Sequence, residues 1–175
     1  MRSSERKFAL IGFMGSGKSC IGKILASRLG LPFADLDHEI ERARGSSVSG
    51  IFRREGEAGF RLLEEKALLD LSGRRGGLVL SCGGGIVMSP ANRALLSRAF
   101  TTVWVDVPLP ELLRRLEGER KKRPLLDSDD YAERAATLME ARRPLYGESS
   151  SLIYRWTEGE STNDSASAIL ELISG

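Results

Sequence analysis

The octapeptide GFMGSGKS, residues 12–19, constrains this chain more than any other stretch. It fits G-x-x-x-x-G-K-[ST] with Gly12, Gly17, Lys18 and Ser19 in register, between the apolar run KFALIGF and a stretch in which Ile21, Ile24, Leu25 and Leu29 recur at helical spacing. A strand, a glycine loop and a helix in that order turn successive backbone N–H groups toward one centre, and the positive end of the helix dipole adds to the field. Such a loop holds a nucleoside triphosphate, with Lys18 bridging the outer phosphates and the Ser19 hydroxyl on Mg²⁺.

The rest of the chain repeats the alternation. LPFADLD, GLVLSCGGG, TTVWVDV and SLIYRW read as further strands, and Leu62, Leu63, Ala67 and Leu69 recur at helical spacing between them. With the first run these make five strands and predict an α/β fold on a mainly parallel sheet. Helix ends are legible too: Ser89 caps with Pro90 behind it, a helix opens at Pro110, and Gly30 closes the first helix. Ser128, Asp129 and Asp130 open a helix that runs to Arg142 and is ended by Pro144.

At 175 residues with no linker or repeat, one domain spanning 1–175 is expected. A net charge of +2 without interleaved aromatic residues argues against a nucleic-acid surface, and no apolar run is long enough for a membrane span. The polar opening MRSSERK does not read as a cleavable signal, so a cytoplasmic protein is expected. Cys20 and Cys82 read as small buried hydrophobes rather than a disulfide. Trp104 and Trp156, both in predicted strands, read as core or sheet-face residues; His38 reads as a solvated or capping residue and Asp106 as a helix start.

A phosphate loop alone does not say what receives the phosphate. The absence of an Asn-Lys-x-Asp motif argues against a GTPase. Three features suggest a second, anionic ligand. Asp35 and Asp37 end the second strand, and extended alternation would send both carboxylates toward the carboxyl edge of the sheet, though a helix cap or solvated turn also fits. Arg61 and Glu64 stand one helical turn apart, either as an oriented guanidinium for a carboxylate or as a surface ion pair. Gly83, Gly84 and Gly85 follow the third strand and permit close approach of a ligand, or make a bare bend.

Taken in order, the loop, Asp-x-Asp, Phe60-Arg61 with Glu64, Gly-Gly-Gly, the RPLL that begins at Arg123 and the Arg-x-Pro-Leu-Tyr that begins at Arg142 resemble the shikimate kinase family from about Phe8 to Tyr146. The resemblance implies a three-layer α/β/α P-loop kinase fold with a five-stranded parallel sheet, a substrate-binding helical region at about 37–64 and a lid at about 118–130. It implies transfer of the γ-phosphoryl group of ATP to the 3-hydroxyl of shikimate in aromatic amino acid biosynthesis, with Mg²⁺. Carried onto this chain, Asp37 is the base at the reacting hydroxyl and Asp35 stands near the metal with Ser19. Arg61 and Arg142 hold the shikimate carboxylate, Glu64 orients Arg61, and the Gly84 backbone meets substrate hydroxyls. Gly15, Ser16, Gly17, Lys18, Ser19 and Cys20 hold ATP phosphates, and Arg123 closes on them from the lid.

The chain departs from the family pattern at Cys20, where threonine is usual, and in ESTNDSAS, which lacks the arginine of the family's adenine loop. Arg115 and Arg120 are both candidates to stack on adenine. A monomer acting on small molecules is expected. A related kinase of another polyol or acid, such as gluconate, and a binding or regulatory module that keeps the fold as a sensor without turnover are the alternatives.

Overall fold

Continuous rather than alternating apolar runs mark strands that are covered on both faces. That is where such runs lie in the computed structural model, which describes residues 6–117 and 130–175. The strands are β1 (Lys7–Ile11), β2 (Phe33–Asp35), β3 (Leu78–Ser81), β4 (Thr101–Asp106) and β5 (Leu152–Arg155). They form one sheet in the order β2-β3-β1-β4-β5, and every pairing is parallel. Every residue of β3 is buried, as is all of β1 after Lys7, while the edge strand β5 buries only Tyr154.

Parallel neighbours need crossovers, and helices supply them. These are α1 (Lys18–Leu29), α2 (Leu36–Arg44), α3 (Val48–Gly73), α4 (Pro90–Ala99), α5 (Leu109–Leu116), α6 (Tyr131–Ser149) and α7 (Thr162–Ser174), with a 3₁₀ turn at Ile86–Met88. One helical group pairs α1 with α7, and another sets α4 against α3 and α6. The core between them holds Phe8, Leu10, Leu25, Leu36, Leu68 and Tyr146, all at most 2% exposed. Truncating one such leucine to alanine costs about 2–5 kcal/mol.

The predicted caps at Ser89 and Gly30 are present: Ser89 Oγ accepts from the Asn92 N–H, and Gly30 closes α1 in the left-handed region. Proline also stands in the first turn of α5. Other expectations are corrected. Helix α6 does not stop before Pro144 but continues to Ser149. Proline there removes only the bond to the Glu140 carbonyl, on an exposed face that water can reach, while buried Tyr146 and Ser149 hold the last turns against the core. Leu62 and Leu69 are not core residues of α3 but 67% and 58% exposed; Phe60, Glu64, Leu68 and Leu71 face inward instead.

Asp106 does not start a helix. It ends β4 and pairs with Arg143 at 2.9 Å, while Pro108 precedes α5. Trp104 lies in β4 and is buried as expected, whereas Trp156 stands just beyond β5. His38 is exposed, in keeping with its reading as a solvated residue. The expected lid at about 118–130 lies outside the described residues except for Asp130, and with it Arg120, Arg123 and the helix-opening Ser128 and Asp129.

Candidate active site

In the order β2-β3-β1, the carboxyl ends of three neighbouring strands open on one side of the sheet. Gly15 and Gly17 adopt φ of 80° and 85°, a left-handed backbone that wraps the loop over the start of α1. Lys18 is 7% exposed and folds back over the loop, its Nζ donating to the Phe13 carbonyl at 2.7 Å and to Ser16 Oγ at 3.0 Å. A cleft of about 320 Å³ lies in front, lined by Gly15, Gly17, Lys18 and Ser19 on one wall and by Asp35, Asp37, Ser81 and Gly84 on the other.

Asp35 and Asp37 both reach this cleft, by a different route from extended alternation. The strand stops at Asp35, which caps α2 by accepting from the Asp37 N–H at 3.2 Å, and Asp37 is already helical. Asp35 is thus a helix cap that also lines the cleft beside Asp37. Ser19 Oγ donates to Asp35 Oδ2 at 2.5 Å and lies 3.1 Å from the Ser81 hydroxyl. These are hard oxygen donors around a single carboxylate, a set that suits Mg²⁺, which keeps several waters and takes its remaining ligands from phosphates. Ser81 carries no motif of its own; its position at the end of a strand next to β1 is what brings it in.

Cys20 is exposed, correcting its expected burial. Helical period turns Cys20, Lys23 and Ser27 outward while Ile21, Leu25 and Ala26 face the sheet. Cys20 lines the phosphate cleft instead. Cys82 is buried, and burial pushes its thiol well above the usual range, so it stays neutral and unreactive.

The glycine triplet joins this cleft to a second cluster. None of Gly83, Gly84 and Gly85 has positive φ, so space rather than backbone freedom explains each. A Cβ at Gly83 would lie 2.9 Å from Asp37 Oδ1 and 2.9 Å from Glu64 Oε1. One at Gly84 would lie 3.1 Å from the Met14 backbone N, and one at Gly85 would overlap the Arg61 guanidinium at 2.3–2.5 Å. The triplet is a thin wall with the phosphate loop on one side and Arg61, Glu64 and Asp37 against it.

Arg61 is held by carboxylates on α3: Glu64 Oε2 accepts from Nη1, and Glu57 Oε1 accepts from Nη2 at 2.9 Å. Glu64 is fully buried, so the pair is not the surface ion pair that spacing alone permits. Burial pushes the Glu64 carboxyl up to about 7 despite the pull of the Arg61 guanidinium, with Asp37 adding to the rise. Arg142, 2% exposed, reaches the same wall from α6 and donates through Nη1 to the Gly84 carbonyl at 3.3 Å, while its Nε has no hydrogen-bond partner among the described residues. Tyr146 Oη donates to that carbonyl at 2.5 Å, and burial raises its phenol to about 12, so it remains a donor. Two donors thereby fix the Gly84 peptide. The arrangement offers a phosphate-binding wall, one buried and one partly buried guanidinium group for an anion, and a carboxylate beside them.

Comparisons with known proteins agree in direction. A family model described as shikimate kinase matches residues 14–174. A shikimate kinase of Synechococcus sp. strain RCC307 is 45% identical over 166 residues, covering 95% of this chain and 83% of the relative. One from Paramagnetospirillum magneticum is 45% identical over 148 residues, covering 85% and 75%. Among solved structures, shikimate kinase from Acinetobacter baumannii in complex with shikimate superposes with a TM-score of 0.93 at 37% identity, covering 98% of this chain and 94% of that one. Shikimate kinase from Bacteroides thetaiotaomicron superposes with 0.89 at 31% identity over 98% and 100% of the two chains.

Proposed function

Since this chain belongs to the shikimate kinase family, we propose that its cleft transfers the γ-phosphoryl group of ATP to the 3-hydroxyl of shikimate through the residues described above. The chain is an ATP-dependent kinase with shikimate 3-phosphate and ADP as products. The observation that carries the assignment of roles is the glycine wall, because it sets the anion-binding arginines and Asp37 directly behind the phosphate loop.

Phosphoryl transfer asks mainly for positioning and for neutralisation of charge on the moving group. Loop N–H groups, the N-terminus of α1 and Lys18 hold the β and γ phosphates. Ser19 and Asp35 would hold Mg²⁺, which would neutralise charge on the phosphates when bound. Arg61 and Arg142 hold the shikimate carboxylate, with Glu64 and Glu57 keeping the Arg61 fork in place. The Gly84 backbone meets substrate hydroxyls, its peptide steadied by Tyr146. Asp37 accepts the hydrogen of the attacking hydroxyl as the new O–P bond forms and the bond to ADP breaks. The family resemblance assigns Arg123 to the remaining contacts with the phosphates.

Release of ADP in the presence of Mg²⁺ and ATP, measured against shikimate, quinate, gluconate and AMP, tests the reading: turnover is expected with shikimate alone. Asp37→Asn should lower kcat by about 10²-fold or more, the scale of a general base. Arg61→Ala should chiefly raise the KM for shikimate, and an unchanged KM would remove its carboxylate role.

A further inference from the structure

Trp156 lies one residue past β5, and its backbone N–H extends the ladder by donating to the Asp106 carbonyl at 3.0 Å. A backbone tied to the sheet in this way gives the indole a fixed base. The Arg115 guanidinium sits against its face, with Cζ 4.9 Å from the ring centroid. Arg115 belongs to the last turn of α5, and two other groups grip it: Nε donates to Glu111 Oε1 at 2.6 Å and Nη1 to the Gly15 carbonyl at 3.4 Å. Leu116, the next residue, packs on the loop so closely that a Cβ at Gly15 would lie 3.0 Å from its Cγ. The guanidinium is therefore fixed at the rim of the phosphate cleft, which it lines together with Gly15 and Gly17.

Arginine loses much rotamer freedom when it binds a ligand from an unrestrained start, and an aromatic face removes that freedom beforehand without neutralising the charge. The Glu111 carboxylate restrains Arg115 as well but offsets its charge; the indole does not. We propose that Trp156 is a positioning residue for nucleotide binding, its indole holding the Arg115 guanidinium at the phosphate loop as a preformed cationic contact for ATP and ADP. The inference rests on the reading of this cleft as the ATP site.

A double-mutant cycle on ADP affinity tests it, with titration calorimetry on the full chain and its Trp156→Leu, Arg115→Leu and doubly substituted forms. Trp156→Leu should weaken ADP binding about three- to tenfold, the scale of a partly desolvated cation–π contact. It should raise the KM for ATP while the KM for shikimate holds, and should add nothing in the Arg115→Leu background. Trp156→Phe, which keeps an aromatic face, should restore most of the affinity. Effects of Trp156 and Arg115 that multiply, or ADP affinity indifferent to Trp156→Leu, would overturn the inference alone. If the leucine variant does not fold, the cycle of Arg115→Leu with Trp156→Met, which also lacks an aromatic face, reads the same coupling, and multiplying effects there overturn it equally. An unaltered chain that binds no ADP would defeat the reading of the cleft instead.

Discussion

A methyl group at position 85 would occupy the space of the Arg61 guanidinium, 2.3–2.5 Å away. What it meets is the far end of a flexible side chain and not backbone, so the protein can fold around it by letting Arg61 move. The expected consequence is functional: Gly85→Ala should raise the KM for shikimate by on the order of tenfold, the worth of one charge-assisted contact, with thermal stability nearly unchanged. Steady-state kinetics beside a melting curve checks this, and an unfolded variant or an unaltered KM would contradict it. Sequence spacing had paired Arg61 with Glu64 and placed three glycines after a strand, but the reason for each glycine was illegible. The partners of Gly83 and Gly85 come from α2 and α3, earlier in the chain, and only the fold brings them across. Cys20 was misplaced for a related reason: its small apolar side chain suggested burial, while the helical phase set by Ile21, Leu25 and Ala26 turned it to the cleft.

At the scale of elements, α3 is two helical pieces joined at Gly56, where φ is 70° and ψ is −179°. Residues eight apart on a straight helix stand about 12 Å apart along the axis. The rings of Phe52 and Phe60 are nevertheless 4.8 Å apart, centroid to centroid, because the break folds one piece toward the other. A Cβ at Gly56 would meet nothing within 4 Å, so the demand for glycine is purely one of backbone conformation. Gly56→Ala should destabilise the protein by about 1–3 kcal/mol in urea unfolding. Gly73→Ala, also with open space around it but at ordinary helical φ, should be neutral or stabilising by up to about 1 kcal/mol. Equal effects at the two sites would mean that the break carries no conformational demand. The sequence pattern missed the phase of this element because a charged residue, Glu64, takes an inward position that an apolar residue ordinarily marks, leaving Leu62 and Leu69 to suggest the wrong face. The five strands and the first helix were legible because their apolar residues keep an unbroken period, with the functional charges Lys18 and Asp35 confined to the ends of their elements.

For the molecule as a whole, a parallel sheet brings the ends of β2, β3 and β1 side by side, and the same geometry buries Glu64 in the layer behind them. That burial couples the site to global stability. Glu64 has its folded pKa raised from 4.5 to about 7, so the folded protein binds this proton more tightly than the unfolded chain does. The associated stability is fully present below about pH 4.5 and is lost as pH rises through about 7, an effect of up to about 3 kcal/mol. Carboxylates with depressed pKa values act oppositely: hydrogen bonds from Arg114 and Arg115 hold Glu111 at about 2, so its contribution is complete above about pH 4.5 and is lost as the pH falls from there through about 2. The Glu64 term is isolated by difference. Denaturant unfolding of the parent and of Glu64→Gln, whose amide keeps the shape without titrating, should give stabilities that diverge between pH 4.5 and 7, with the parent losing more as pH rises. Parallel curves across that window would mean that Glu64 is already ionised at the acid end, with the Arg61 pairing outweighing burial.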